Sequence, residues 1–232
     1  MRYMLKLSGE ALAGEKHTGF DLAVIRTVAS QVKKLTEDGA GLGVVIGGGN
    51  FWRGRTGTEI DRDKSDQIGM LATVMNCIYV SDVFREAGMR TRIMTPFTCG
   101  TFTELFAVDR AREYLADGQV VFFAGGTGHP YFSTDTGVVL RAVEIKADCV
   151  LLAKAIDGVY DKDPAKHPDA KRYDRLTLDE VIEQGLQAVD LTASVLARDA
   201  GMELRVFSLQ EEDGILKAAS GKFNGTVVVG CT

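Results

Sequence analysis

Histidine is scarce in this sequence, at three among 232 residues. With so few, neither a metal cluster nor a nucleophile–histidine pair for covalent catalysis can be argued. Cysteine is scarce too. Cys77, Cys99, Cys149 and Cys231 are widely scattered, and no pair has metal-ligand or redox spacing. Buried or incidental thiols are the reading that remains. Positive charge is in deficit: 27 Lys and Arg stand against 32 Asp and Glu, a net charge of −5. That excludes a general nucleic-acid binder, although a local basic pocket can still accept a nucleotide. No apolar run approaches a membrane span. The chain opens Met1-Arg2-Tyr3-Met4-Leu5 without a signal-peptide pattern, so the expectation is a cytoplasmic protein with no membrane partner. Repeats, low-complexity tracts and linkers are also missing, so residues 1–232 are expected to form a single domain.

What is present is an alternation of strand and helix patterns over a 45% hydrophobic composition. Residues 3–7, 43–46, 91–94, 119–124, 149–153, 203–207 and 226–229 read as strands. Leu22, Ile25, Val28, Ala29, Val32 and Leu35 share a helical face, with Asp21 as N-cap and Gly39 beyond the end. Ile68, Leu71, Met75 and Ile78 mark a long helix that runs to Ala87 and stops at Gly88. Further helices are expected at 109–116, at 178–184, at 191–199, and after Thr134, which is positioned to cap. Val138, Ala142 and Ile145 share the face of that last helix. The turn-rich stretch 157–175 reads as a loop or small hairpin. Strands joined by helices give the α/β class: a three-layer α/β/α sandwich with a mostly parallel central sheet.

Three loops that follow apolar runs carry the chemistry. The first is Lys6-Leu7-Ser8-Gly9, at the carboxyl end of a strand, where ligands of open α/β sheets bind. Lys6 there either neutralises a transferring phosphoryl group or is a surface lysine. The second is Gly47-Gly48-Gly49 followed by Arg53. It lacks the closing residues of a P-loop and the glycine spacing of a dinucleotide fingerprint. Uncovered N–H groups and a guanidinium suit a phosphate; the alternative is a tight turn beside a solvated arginine. The third is Gly125-Gly126-Thr127-Gly128-His129-Pro130-Tyr131-Phe132-Ser133-Thr134-Asp135. There hydroxyls, free N–H groups and a helix N-terminus converge. Tyr131 and Phe132 either flank a base or belong to the core. Asp135 is either a helix-dipole partner or an acidic organiser for Lys6. Asp66, read in the polar segment before the long helix, is either a ribose ligand or a helix cap.

Taken together, Lys6-Leu7-Ser8-Gly9-Glu10-Ala11-Leu12, residues 44–50 with Arg53, the run 69–76, residues 126–135, Asp157-Gly158-Val159-Tyr160 with Asp163-Pro164, and Val189-Asp190-Leu191-Thr192-Ala193 resemble bacterial uridylate kinase, of the amino acid kinase superfamily. The resemblance runs in order along essentially the whole chain. It implies the amino acid kinase-like fold and transfer of the ATP γ-phosphoryl group to UMP, giving UDP and ADP, in pyrimidine biosynthesis. By the same resemblance Lys6, Leu7, Ser8, Gly9, Gly49 and Arg53 contact ATP, and Lys154, Tyr160 and Asp163 lie on its adenine side. Gly48, Asp66, Thr127, Gly128, His129, Pro130, Tyr131, Phe132, Ser133 and Thr134 contact UMP. Lys6, Asp135 and Arg53 serve catalysis, and Mg²⁺ accompanies ATP without a dedicated protein site. The loop 14–21 resembles the family's GTP-responsive region, so GTP and UTP are expected as effectors, and a homohexamer is implied.

The chemistry is consistent with this assignment. The acceptor in UMP is a phosphate oxygen already largely ionised at neutral pH, so no general base is required. Phosphoryl transfer then rests on positioning and charge neutralisation. The same logic fits a carboxylate acceptor, so an amino acid kinase is one rival, and a nucleotide storage or sensing protein of the same fold is another.

Overall fold

The apolar runs become strands because their side chains are buried on both faces of one sheet, as parallel sheets require. The computed structural model describes residues 1–52 and 60–230, so Arg53 and Cys231 lie outside the described residues. The first half runs β1 (Arg2–Leu7), α1 (Gly9–Leu12), α2 (Leu22–Glu37), β2 (Gly41–Ile46), α3 (Arg62–Glu86), β3 (Thr91–Thr95), β4 (Glu104–Leu105), α4 (Val108–Ala116) and β5 (Val120–Phe123). It continues with α5 (Thr134–Glu144), β6 (Cys149–Lys154), β7 (Val159–Tyr160), β8 (Arg172–Tyr173), β9 (Arg175–Thr177) and α6 (Leu178–Glu183). The chain ends with α7 (Leu191–Asp199), β10 (Glu203–Ser208), α8 (Gly214–Ser220) and β11 (Gly225–Val229).

Among the described residues nine strands form one sheet in the order β4-β3-β5-β2-β1-β6-β10-β11-β9, and β7 pairs with β8 in the expected hairpin. Every pairing in the large sheet is parallel except β10 with β11. Strand alternation sorts the core into two layers. Tyr3, Leu5 and Leu7 pack with α2, α3 and α8 on one face. Met4, Val150 and Leu152 pack with α4, α5, α6 and α7 on the other. Leu7 lies opposite Ile46 on one side and Ala153 on the other, so β1, β2 and β6 end level with one another.

Asp21 caps α2 as expected, its carboxylate accepting from the N–H groups of Ala23 at 2.9 Å and Val24 at 3.3 Å. Three expectations are corrected. The cap of α5 is Ser133, which accepts from Asp135 N at 3.1 Å and Thr136 N at 3.3 Å, and Thr134 is the first helical residue. Asp66 lies inside α3 rather than before it, and the cap position belongs to Asp61. The apolar residues that marked α3 face outward: Ile68, Leu71, Met75 and Ile78 are all exposed. The buried face is Ala72, Thr73, Asn76, Cys77 and Val80, whose small and polar members hide it from an apolar count. The short elements α1, β4 and β9 carry too few residues to show a period. By length and hydropathy α3 also meets the criterion for a membrane span, which the reading of the sequence did not anticipate; half of that window is buried inside the protein.

Candidate active site

Strand alternation aims Lys6 at α5. Met4 packs on the α5 side of the sheet, and Lys6, two residues on, points the same way. Asp135 stands in the first turn of α5, and its carboxylate meets the Lys6 ammonium at 2.9 Å. The two side chains are 12% and 18% exposed, so solvent screens the pair weakly. Lys154 ends β6 on the same face, since Lys6 lies opposite Leu152 and Lys154 is two residues further. Its amine donates to the Ala188 carbonyl. Burial pushes the Lys154 pKa below the ordinary lysine range; the nearby Asp135 carboxylate opposes that shift and the Lys6 charge adds to it. Two lysines and one carboxylate therefore share a small volume above the strand ends.

The second glycine loop approaches from β2. None of Gly47, Gly48 and Gly49 adopts the left-handed conformation. Crowding acts at Gly48 and Gly49 instead, against backbone at Gly48 and against a movable side-chain end at Gly49. A Cβ on Gly48 would sit 2.8 Å from the Gly69 carbonyl oxygen, and one on Gly49 would sit 2.7 Å from Glu10 Oε1. A buried amide pair fastens the loop to α3. Asn50 Nδ2 donates to Asn76 Oδ1 at 3.0 Å, and Asn76 Nδ2 donates to Asn50 Oδ1 at 2.8 Å and to the Gly47 carbonyl at 2.7 Å. The third loop does use left-handed glycines, at Gly125, Gly126 and Gly128. It is held to α3 by Gly125 N–H donating to Thr73 Oγ1 at 2.8 Å and by Tyr131 N–H donating to Asp66 Oδ2 at 2.8 Å.

Between these loops lies a cavity of about 270 Å³. Of the expected acceptor residues, Gly48, Asp66, Thr127, His129, Tyr131, Phe132, Ser133 and Thr134 line it; Gly128 and Pro130 belong to the same loop without lining it. Gly49, expected on the donor side, lines this cavity as well. Tyr131 and Phe132 are exposed, at 64% and 51%, which removes the core reading and leaves their faces available to a ligand. A second cavity, of about 590 Å³, is lined by Asp135, Lys154, Asp190 and Leu191, and Ser133 borders both. Asp135 thus lines the second cavity two residues from Ser133, and its partner Lys6 lines neither cavity. Leu7 is buried in the core and Ser8 stands at the start of α1. Tyr160 and Asp163 line neither cavity. The Tyr160 hydroxyl donates to Asp157 at 2.8 Å, and Asp163 accepts from Ala165 N–H at 3.0 Å.

The structure adds residues to which the sequence reading gave no role. Asp190 caps α7 through Ala193 N–H at 3.0 Å and also accepts from the hydroxyls of Ser133 and, at 3.1 Å, Thr136, tying the N-terminus of α5 to α7. Trp52, the only tryptophan, donates to Ser65 Oγ at 2.9 Å and forms one wall of the first cavity. Thr73 and Asn76 fell within a quoted motif, but only their contacts reveal what they do.

Residues 1–208 match the model of the amino acid kinase family. A UMP kinase from Bacillus anthracis superposes with a TM-score of 0.94 at 33% identity, covering 100% of this chain and 96% of its own. A UMP kinase from Ureaplasma parvum superposes with a TM-score of 0.92 at 30% identity, covering 98% of each chain. The chain belongs to the amino acid kinase family and groups there with the UMP kinases.

Proposed function

We propose that this protein transfers the γ-phosphoryl group of ATP to UMP, giving UDP and ADP. The observation that supports this best is the Lys6–Asp135 pair beside Ser133, the residue that borders two cavities, one of them walled by Asp66 and most of the 126–134 loop. UMP fits the first cavity, with its phosphate toward the N-terminus of α5 and its ribose toward Asp66. A phosphate monoester has its second pKa near about 6, so the acceptor oxygen is largely ionised at pH 7 and needs no base. The difficulty is charge: donor, acceptor and transferring group are all anionic. Lys6 supplies a fixed positive charge, oriented by Asp135, and the N-terminus of α5 adds its helix dipole. Lys154 adds a second cation on the donor side. Lys6, Leu7, Ser8, Gly9, Gly49 and Arg53 are proposed to face the ATP phosphates, and Tyr160 and Asp163 the adenine, on the strength of the family relationship.

Among the described residues no three His, Cys, Asp or Glu side chains gather into a metal cage. Mg²⁺ is proposed to arrive on the triphosphate, since this ion keeps several waters and needs few protein ligands. There it would neutralise part of the phosphate charge. Residues 1–232 are read as one domain of a cytoplasmic enzyme of pyrimidine biosynthesis, with GTP and UTP as candidate effectors.

The test is ADP release in the presence of UMP, CMP or N-acetylglutamate. UMP should support turnover, and N-acetylglutamate should not. Asp66→Ala should raise KM for UMP about tenfold or more while KM for ATP moves less than twofold, because a charged hydrogen bond to the acceptor is lost together with the tie to the Tyr131 N–H of the acceptor loop. An equal effect on both substrates would remove Asp66 from the acceptor site.

The outward face of α3 supports an assembly. Ile68, Leu71, Met75, Ile78 and Tyr79 are 37–52% exposed along one helix, and Phe20 stacks on Tyr79 with ring centroids 3.9 Å apart. A continuous apolar stripe of this kind is normally covered, and closed symmetry is the usual way. A homohexamer of 25.1 kDa chains, about 150 kDa, is the expected result of light scattering at micromolar protein. A fully active monomer would refute it.

A further inference from the structure

We infer that Arg62 is a positioning residue for the acceptor nucleotide: it holds the 126–132 loop over the first cavity by stacking on Tyr131, and so sets acceptor KM. The inference rests on the acceptor reading of that cavity given above.

Tyr131 is the key. Its φ is +74°, in the left-handed region that a bulky L-residue rarely enters. Such a conformation persists only where the surroundings over-determine it. Burial does not do so, because Tyr131 is 64% exposed. The restraints come from α3. Asp66 takes the Tyr131 backbone N–H at 2.8 Å, which fixes the peptide. The Arg62 guanidinium lies 5.0 Å from the Tyr131 ring centroid, which fixes the side chain. Arg62 Nε in turn stands 3.7 Å from Asp66 Oδ2, the oxygen that holds the peptide. Arg62 and Asp66 are four residues apart, so one turn of α3 presents both groups to the loop. All three residues line the cavity.

The division of labour follows from chemistry. Asp66 carries the charge that the loop peptide needs. Arg62 brings a flat cation, which can lie on an aromatic face and still donate toward a carboxylate. A lysine at this position would keep the charge but lose the plane. Among the described residues Arg62 meets Asp66 and Tyr131, both at the acceptor end and apart from the Lys6–Asp135 pair. Its loss should therefore loosen acceptor binding and leave the transfer step nearly intact.

The experiment measures kcat and KM for both nucleotides in Arg62→Gln, Arg62→Lys, Tyr131→Phe and Tyr131→Ala, with UMP dissociation constants read from the fluorescence of Trp52. Arg62→Gln should raise KM and Kd for UMP about five- to tenfold, with KM for ATP and kcat within about twofold. Arg62→Lys should fall between Gln and the unaltered enzyme, and Tyr131→Phe, which keeps the ring and the N–H, should leave the effect of Arg62→Gln in place. In the Tyr131→Ala background, Arg62→Gln should add little, because its partner is already gone. An unchanged UMP KM in Arg62→Gln, a fully additive double variant, or an equal rise in KM for ATP would overturn the inference. If the unaltered enzyme shows no UMP-dependent ADP release, the acceptor reading fails and takes this inference with it. A normal wild type with a normal Arg62→Gln variant rejects the inference alone.

Discussion

Replacing Lys6 by methionine is expected to lower kcat about a hundredfold or more, while KM for either nucleotide moves less than about threefold. Methionine preserves the length and most of the packing of the lysine stem and removes only the charge. That charge matters little to ground-state binding, which loop N–H groups and other cations share. It matters most where negative charge crowds between two anionic nucleotides. The variant also takes away the charge that Lys6 sets against Asp135 at 2.9 Å, where the Asp135 side chain is 18% exposed. Removing one partner of a largely buried pair destabilises by its own route. Lys6→Met with Asp135→Asn separates the two effects. The double variant should recover thermal stability and remain slow. Recovery of kcat along with stability, or a near-normal kcat in Lys6→Met alone, would reduce Lys6 to a structural lysine.

The parts of this fold that could be read in the sequence are those where one period dominates. Residues 22–35 show one apolar face, and Asp21 precedes it, so α2 and its cap emerge as expected. The long helix α3 was recognisable as a helix, but its buried face was not. It carries two candidate stripes, and the more hydrophobic one points outward. The inner stripe uses Thr73 and Asn76 to grip the glycine loops, so its polarity is the price of building the site. Lys6 and Asp135 were legible as candidates because Lys6 precedes one glycine-bearing strand end and Asp135 follows another. Their pairing depends on α5 crossing from β5 to β6 over β1, a tertiary fact. Asp190 was visible only as part of a motif, since its work lies in contacts made 54 and 57 positions away. Within the glycines at 47–49 the close approach is at Gly48 and Gly49, and none of the three is left-handed, so proximity rather than conformation marks the loop.

That proximity gives the second large effect, in Gly9→Ala. A Cβ on Gly9 would lie 2.3 Å from the Gly47 carbonyl oxygen and 2.5 Å from Asn50 Oδ1. Separations under 3.0 Å are essentially never adopted by a real Cβ, so the first and second loops must part by at least the 0.7 Å between 2.3 and 3.0 Å. Neither neighbour can yield cheaply. The Gly47 carbonyl accepts from Asn76 at 2.7 Å, and the Asn50 oxygen accepts from the same amide at 2.8 Å, both within a buried network. Backbone displacement of this size in a packed region costs about 1–3 kcal/mol. It also moves the Lys6 strand end relative to the glycine loop, and a shift near 1 Å at a reacting centre is enough for about a hundredfold loss of rate. Gly9→Ala is therefore expected to lower both the melting temperature and kcat. Gly47→Ala is the contrast. Its Cβ would meet Gly9 N at 3.6 Å, Thr134 Oγ1 at 3.8 Å and the Leu7 carbonyl at 3.9 Å, all ordinary contacts, so the fold should keep its stability. Those neighbours belong to the first and third loops, so a methyl on the second intrudes where the three converge and should depress kcat without shifting the melting temperature. Equal stability losses in the two variants, or a Gly9→Ala enzyme with unaltered kcat, would show that the close approach of the first two loops does not set the geometry of transfer.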